Sequence, residues 1–209
     1  MKSNICVLNK DLTCLKAVLT EVEKVTAYNG LEDKKALRIR LLAEELCGML
    51  PGLIENFSGA FWAENEGDNY ELHVELKADD MSIDLRDELI SVSKSGKNAA
   101  AKGIMGKIRA VAETMLLAAF DPDNAPMPGV GEYYDYHGYN MCFGYIDQET
   151  AAELGCIYTW SLFNYKTAVE EKEADAYAEL ERSIVAKLAD DIIVGVRGQN
   201  VEIVVKKSF

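Results

Sequence analysis

FWAENEGDNYELHVEL, residues 61–76, decides the fold of this chain. Its second half alternates four apolar residues with Glu71, His73 and Glu75, which is the two-residue period of a strand with one buried and one polar face. The turn-forming letters ENEGDN separate this strand from the apolar segment GAFWA, so the two are predicted to pair as a β-hairpin. His73 then falls on the polar face, where we expect it to be exposed or hydrogen-bonded across the strands.

Two helices are predicted before this hairpin. The first begins at Asp11 or Thr13 and ends at Asn29-Gly30, because both residues tolerate the left-handed conformation at a helix C-terminus. The second begins near Asp33, and Pro51-Gly52 is expected to stop or kink it. Its predicted buried stripe consists of apolar residues at helical spacing: Leu37, Leu41, Leu42, Leu46 and Met49.

Shorter signals predict the remaining elements. They are a strand in ICVL (5–8), a helix over 104–120, a strand in GCIYTWSLF (155–163), a charged helix over 167–188 and a closing hairpin around 198–200. Helices followed by antiparallel hairpins are typical of the α+β class. We therefore expect a two-layer sandwich, in which a mixed, mainly antiparallel sheet carries helices on one face. The chain 1–209 is expected to form a single domain, with a Pro/Gly/Tyr-rich loop or insertion at about 121–155.

Charge excludes some classes of partner. Lys plus Arg number 22 and Asp plus Glu number 35, for a formal net charge of −13. Nucleic-acid binders gain affinity from cations placed on phosphates, and anionic membranes also attract basic segments. We therefore expect neither nucleic-acid nor membrane binding. No signal-peptide pattern or apolar run of about 20 residues is present, so a soluble, cytoplasmic protein is expected.

The metal-ligating residues are few. The five cysteines lack C-x-x-C spacing, and the two histidines are His73 and His137. This pattern favours reduced thiols over a disulfide framework, and it predicts no metal site.

The segment LRIRLLAEELCGML, residues 37–50, carries a resemblance to a known family. It resembles the N-box helix of the Bergerat-type (GHKL) ATPase fold shared by histidine kinases, gyrase-like proteins and anti-sigma factor kinases, and it is most similar to the anti-sigma factor kinase branch. The preceding helix, the Asn29-Gly30 break and the following hairpin come in the order of that branch. The resemblance covers roughly residues 10–118.

The resemblance implies a role for two residues on the second helix. Glu45 takes the position of the N-box glutamate, the general base on the attacking hydroxyl or water. Met49 takes the position of the asparagine whose oxygen holds Mg²⁺ against the phosphates. Because a thioether is a poor ligand for a hard cation, Mg²⁺ binding is doubtful here. Two glutamates on the border of an amphipathic helix, Glu44 and Glu45, are also explained by helix-favouring composition alone.

The resemblance assigns further residues to a nucleotide, ATP or ADP. Asp79 takes the place of the aspartate that recognises the adenine amino group, although Met81 replaces the glycine of that turn. The second glycine box is similar to KGIMGKI, where free backbone N–H groups at a helix entry suit a phosphate. Its residues are Gly103 and Gly106, with Lys102 and Lys107 adding positive charge.

Three functions remain open. The first is a regulatory or binding protein on this scaffold, with a degenerate nucleotide site and weak or no catalysis. The second is an active ATP-binding, anti-sigma-factor-like serine kinase. The third is an unrelated enzyme in which the tyrosine-rich loop covers a small-molecule pocket. For a protein partner or a homodimer, Trp62, Trp160 and the tyrosine-rich loop supply aromatic anchors.

Overall fold

The structure is a computed structural model that describes residues 1–9, 13–53, 57–78, 158–170 and 183–209. It also describes helical positions 104, 106, 108, 111, 112, 115 and 116. The predicted loop or insertion at about 121–155 lies outside the described residues.

Six strands and four helices are delimited in this part of the chain. In chain order they are β1 (Cys6–Asn9), α1 (Leu15–Tyr28), α2 (Asp33–Leu53), β2 (Phe57–Glu66), β3 (Asn69–Ala78), β4 (Tyr158–Ser161), α3 (Leu162–Glu170), α4 (Ile184–Leu188), β5 (Asp191–Arg197) and β6 (Asn200–Ser208).

The strands form one sheet with the order β1-β2-β3-β6-β5-β4. All five neighbouring pairs are antiparallel. The described helices and this sheet confirm the α+β class. Residues of α1 and α2 join one sheet face in a single hydrophobic core. We call that face the inner face and the opposite one the outer face.

The inner face is held by apolar side chains aligned across the strands. One row crosses all six strands in register, and each member is at least nine-tenths buried: Cys6, Phe61, Val74, Ile203, Val194 and Trp160. Such rows arise because alternate residues of each strand point to the same side of a sheet. The apolar residues that alternate along β3 therefore line the core on the inner face.

Both predicted hairpins are confirmed. β2 and β3 pair along their whole lengths around a turn at Gly67, which adopts a φ of +62° that favours glycine. β5 and β6 pair around residues 198–199. The predicted strand in 5–8 is present as β1, and α1 ends at Tyr28, immediately before the predicted Asn29-Gly30 break.

The buried stripe of α2 differs from the prediction. Leu42 and Leu46 are 1 % exposed as expected, but Leu37 is 54 % exposed. The buried stripe is rotated around the helix relative to the predicted stripe. Its residues are Ile39, Leu42, Ala43, Leu46, Cys47 and Leu50. α2 also continues through Pro51 to Leu53 rather than stopping at the proline.

The predicted strand in the second half of the chain ends earlier than expected. The strand predicted over 155–163 ends at Ser161, because Leu162 begins α3. Asp191 accepts hydrogen bonds from the Ser161 hydroxyl at 3.0 Å and from the Phe163 N–H at 2.8 Å, which satisfies the helix start.

The helix predicted over 167–188 is not continuous. Ser183 has an extended backbone, with φ −80° and ψ 123°, and its hydroxyl accepts from the Ala186 N–H as the N-cap of α4. Residues 171–182 lie outside the described part of the chain.

The third predicted helix agrees with the structure at the positions described. The helical residues between 104 and 116 include five buried apolar ones at helical spacing: Ile104, Ile108, Val111, Met115 and Leu116. Among the described helices, none is long and apolar enough to cross a membrane.

Candidate functional site

The border of the buried stripe of α2 carries the two residues that the resemblance places at the reaction centre. Glu45 is exposed, whereas Met49 is half-buried and packs against the hydrophobic core. They are four residues apart on one helix, so they are neighbours on its surface. Glu45 therefore lies beside the buried stripe and not on it, which leaves its carboxylate open to water or a ligand.

The neighbouring Glu44 has a structural role instead. Its carboxylate lies 3.2 Å from Nε of Arg40, and the same guanidinium contacts Glu23 on α1. Arg40 thereby links α1 to α2 on their exposed side. Glu45 makes no ion pair or side-chain hydrogen bond within the described residues. Of the two adjacent glutamates, Glu45 is the one available for binding or chemistry.

Gly106 is helical and half-buried, between the buried residues Ile104 and Ile108. It lies inside the described helical positions rather than ahead of them. The other predicted nucleotide-binding residues lie outside the described part of the chain: Asp79, Lys102, Gly103 and Lys107. The structure thus brings together Glu45 and Met49 and locates Gly106.

The outer face of the sheet carries polar groups that the sequence pattern did not assign to a site. Several rows cross it in register, and three of them matter here. We name them the edge row (Val7, Ala60, Glu75, Glu202, Gly195, Thr159), the aromatic row (Trp62, His73, Val204, Ile193, Ser161) and the charged row (Glu64, Glu71, Lys206, Asp191).

The aromatic row is built on a stacked pair. The Trp62 and His73 rings lie 4.8 Å apart between centroids, with an interplanar angle of 4°. Lys2 covers Trp62 with its Nζ 4.5 Å from the ring centroid, and it pairs with Glu64 at 2.8 Å. The indole Nε1 donates to the same Glu64 carboxylate at 2.7 Å. One cation and one carboxylate therefore hold the indole in place.

His73 differs from the sequence expectation of an exposed or hydrogen-bonded residue. It lies on the outer face as predicted, but its side chain is only 13 % exposed. Both ring nitrogens are buried, and no well-directed hydrogen bond reaches either of them. An oxygen of Glu71 lies 3.2 Å from Nε2, which makes an ion pair when the imidazole is protonated. This contact is the main cause that lowers the pKa of Glu71, with Lys206 adding to it.

The edge row contains two carboxylates on adjacent strands. Glu75 on β3 lies directly opposite Glu202 on β6. Burial, followed by the charge of Glu75, raises the pKa of Glu202. Like charges opposite each other in a sheet are destabilising, so packing alone does not explain this pair.

Trp160 is not available as an anchor for a partner, contrary to the sequence interpretation. It is 3 % exposed on the inner face, and its ring lies 5.8 Å from that of Tyr165. Its apolar area therefore stabilises the core. Trp62, on the outer face, is half-buried.

The described residues contain no group of three or more His, Cys, Asp or Glu side chains that is arranged to hold a metal ion. Cys6, Cys14 and Cys47 are free thiols. Burial raises the pKa of Cys47 to about 12, so this thiol is protonated and unreactive at neutral pH.

Comparison with known proteins gives no match. No model of a protein family, no curated protein and no solved structure is similar to this chain. Its own residues therefore carry the functional interpretation.

Proposed function

We propose that the chain is a regulatory or binding protein on a histidine-kinase-type ATPase scaffold, with a degenerate nucleotide site that is catalytically weak or inactive. The observation that carries this proposal is on α2. The exposed carboxylate of Glu45 is followed, one turn later, by the half-buried thioether of Met49.

The order of elements supports the proposal. β1, α1 and α2 precede the β2–β3 hairpin, and the helices pack on one face of the sheet. In the family that the sequence resembles, the N-box helix has the same place, after a first helix and before a hairpin. Glu45 is exposed and free of ion pairs among the described residues, so its carboxylate is accessible to a substrate or ligand.

The chemistry of Met49 decides against efficient phosphoryl transfer. Such enzymes use Mg²⁺ to neutralise charge on the transferred phosphoryl group. A thioether sulfur is too soft to hold Mg²⁺, which prefers oxygen ligands. If ATP or ADP binds here, its affinity should come from the base and the phosphate contacts and should not depend on Mg²⁺.

Thermal unfolding with ATP and ADP, each with and without Mg²⁺, tests this proposal. Nucleotide at about 100 times its dissociation constant adds about 2.7 kcal/mol to the free energy of unfolding. We expect a rise in the melting temperature that is equal with and without Mg²⁺ and is lost in Asp79→Asn, since Asp79 takes the adenine-recognising position. No rise with any nucleotide contradicts a nucleotide site. Mg²⁺-dependent ATP hydrolysis or phosphoryl transfer favours the active kinase instead.

A cytoplasmic location belongs to the same proposal. The free thiols Cys6, Cys14 and Cys47 support it, because reducing compartments keep cysteines in this form. A regulatory protein without strong catalysis acts through a protein partner, and the outer face of the sheet offers a surface for one.

A further inference from the structure

One end of the edge row is apolar and exposed. Val7 on β1 is 74 % exposed and lies directly opposite the half-buried Ala60 on β2. Ile5, just before β1, is 61 % exposed. The residues of β1 are Cys-Val-Leu-Asn, without the lysine or proline that usually protects an edge strand from association. These residues form an apolar contact surface at the sheet edge.

The other end of the same exposed strip is acidic. Ala60 lies opposite Glu75, and Glu75 lies opposite Glu202. Within the described residues neither carboxylate forms an ion pair. Two outward-facing cations, Lys77 and Arg197, lie in the next row and do not pair with them. His73, in the row on the other side, acts on Glu202 through its charge when protonated but forms no ion pair with it. The two carboxylates therefore repel each other without a lysine or arginine partner among the described residues.

The open part of the outer face stops at β6. Val204 and Ile193 are 3 % and 5 % exposed, although they do not belong to the core on the inner face. The strip thus runs across four strands, from the exposed Val7 through the half-buried Ala60 and the exposed Glu75 to the half-buried Glu202. Neighbouring strands are about 4.8 Å apart, so Val7 is roughly 12 Å from the midpoint of the carboxylate pair.

We propose that this strip binds a basic, apolar polypeptide segment of a partner protein. An apolar side chain of the segment covers Val7 and Ala60, and an arginine or lysine bridges Glu75 and Glu202. On a helix, residues seven or eight positions apart are separated by about 11–12 Å along the axis, which matches the strip. Charge complementarity selects this occupant over a second copy of the chain, since two chains of formal charge −13 repel each other.

The inference is independent of the nucleotide proposal. The strip lies on the outer face of the sheet. Helix α2, which carries Glu45 and Met49, packs against the inner face. A nucleotide experiment that fails leaves the strip untested, and a peptide experiment that fails leaves the nucleotide site untested. The two proposals therefore fail separately.

The test uses the full chain and a fluorescent synthetic peptide as the probe. The peptide is an amphipathic helix of leucine, alanine and arginine with about 15 residues, near the length at which isolated helices become stable. Fluorescence anisotropy at physiological ionic strength gives its dissociation constant, because exposed charges are then largely screened beyond about 8 Å. We expect Glu75→Gln with Glu202→Gln, and separately Val7→Ser, to weaken binding by about tenfold, or about 1.4 kcal/mol.

The matched control removes two carboxylates elsewhere. Glu32→Gln with Asp33→Asn changes exposed residues at the start of α2, and it should leave the dissociation constant within about twofold. Amide NMR shifts on peptide addition should concentrate at Val7, Ala60 and Glu202. The Glu75→Gln, Glu202→Gln variant is expected to melt no lower than the parent, because it relieves repulsion, so weaker binding in it does not report unfolding.

Three results overturn the proposal. Equal weakening in the strip variant and the control shows that binding follows net charge alone. Absence of binding at millimolar peptide excludes the strip as a site for this class of segment. A concentration-dependent dimer in light scattering that Val7→Asp abolishes assigns the strip to a second copy of the chain.

Discussion

Trp62 and His73 lie directly opposite each other on β2 and β3, and their rings stack at 4.8 Å with nearly parallel planes. Stacked aromatic pairs contribute about 0.5–1.5 kcal/mol beyond the area that they bury. A double-mutant cycle with Trp62→Ala and His73→Ala should therefore show a favourable coupling of about this size. Urea unfolding of the four proteins measures it. Additive effects of the two substitutions would mean that the stack does not stabilise the fold.

Glu71 should make stability depend on pH through its contact with His73. Its folded-state pKa is lowered from the ordinary 4.5, so it contributes stability that is fully present above the unfolded-state value. That contribution is lost as the pH falls through the lower folded-state pKa. His73→Gln should raise the pKa of Glu71 towards its ordinary value, as measured by NMR titration of the side-chain carboxyl. An unchanged Glu71 titration would assign the lowering to Lys206 instead.

The position of the α2 stripe is tested by the same substitution at two leucines. Leu46 is 1 % exposed and Leu37 is 54 % exposed. Leu46→Ala should lower the free energy of unfolding by about 2–5 kcal/mol, because it removes a buried side chain and leaves a cavity. Leu37→Ala should change it by no more than about 0.5 kcal/mol. Chemical denaturation compares the two, and equal losses would place both leucines in the core.

Gly59 should not tolerate a side chain. A Cβ at this position would lie 2.5 Å from the backbone oxygen of Glu75 and 2.7 Å from a methyl carbon of Leu76. β2 and β3 would have to separate locally, and overpacking of this kind costs about 1–3 kcal/mol. Gly59→Ala is expected to lower the melting temperature, whereas Gly48→Ala, which meets nothing within 4 Å, is not. Equal melting temperatures for the two variants would show that the strands are less tightly apposed here.

Local rules explain which parts of the fold were predictable. The β2–β3 hairpin follows from strict alternation and a glycine turn, both of which are properties of neighbouring residues. The stripe of α2 was misplaced at Leu37 because apolar residues occupy more than one side of this helix. Packing against α1 and the sheet then selects the side with Ile39 and Ala43.

The candidate site was predictable only in part. Alternation correctly placed His73 on the outer face, but its burial and its stacking depend on the register that sets Trp62 opposite it. The distinction between Glu44 and Glu45 depends on Arg40, whose guanidinium reaches Glu23 on another helix. Long-range register and pairing of this kind leave no signal in the spacing of residues along one element.

Under the proposed function, Met49 takes the position of the asparagine that holds Mg²⁺ in the resembling family. Titration calorimetry of ATP into the parent protein and into Met49→Asn, each with and without Mg²⁺, tests it most directly. We expect Mg²⁺ to leave the dissociation constant of the parent within about twofold and to tighten that of Met49→Asn by about tenfold, which is about 1.4 kcal/mol. Binding by the parent that requires Mg²⁺, or no ATP binding by either protein, would contradict it.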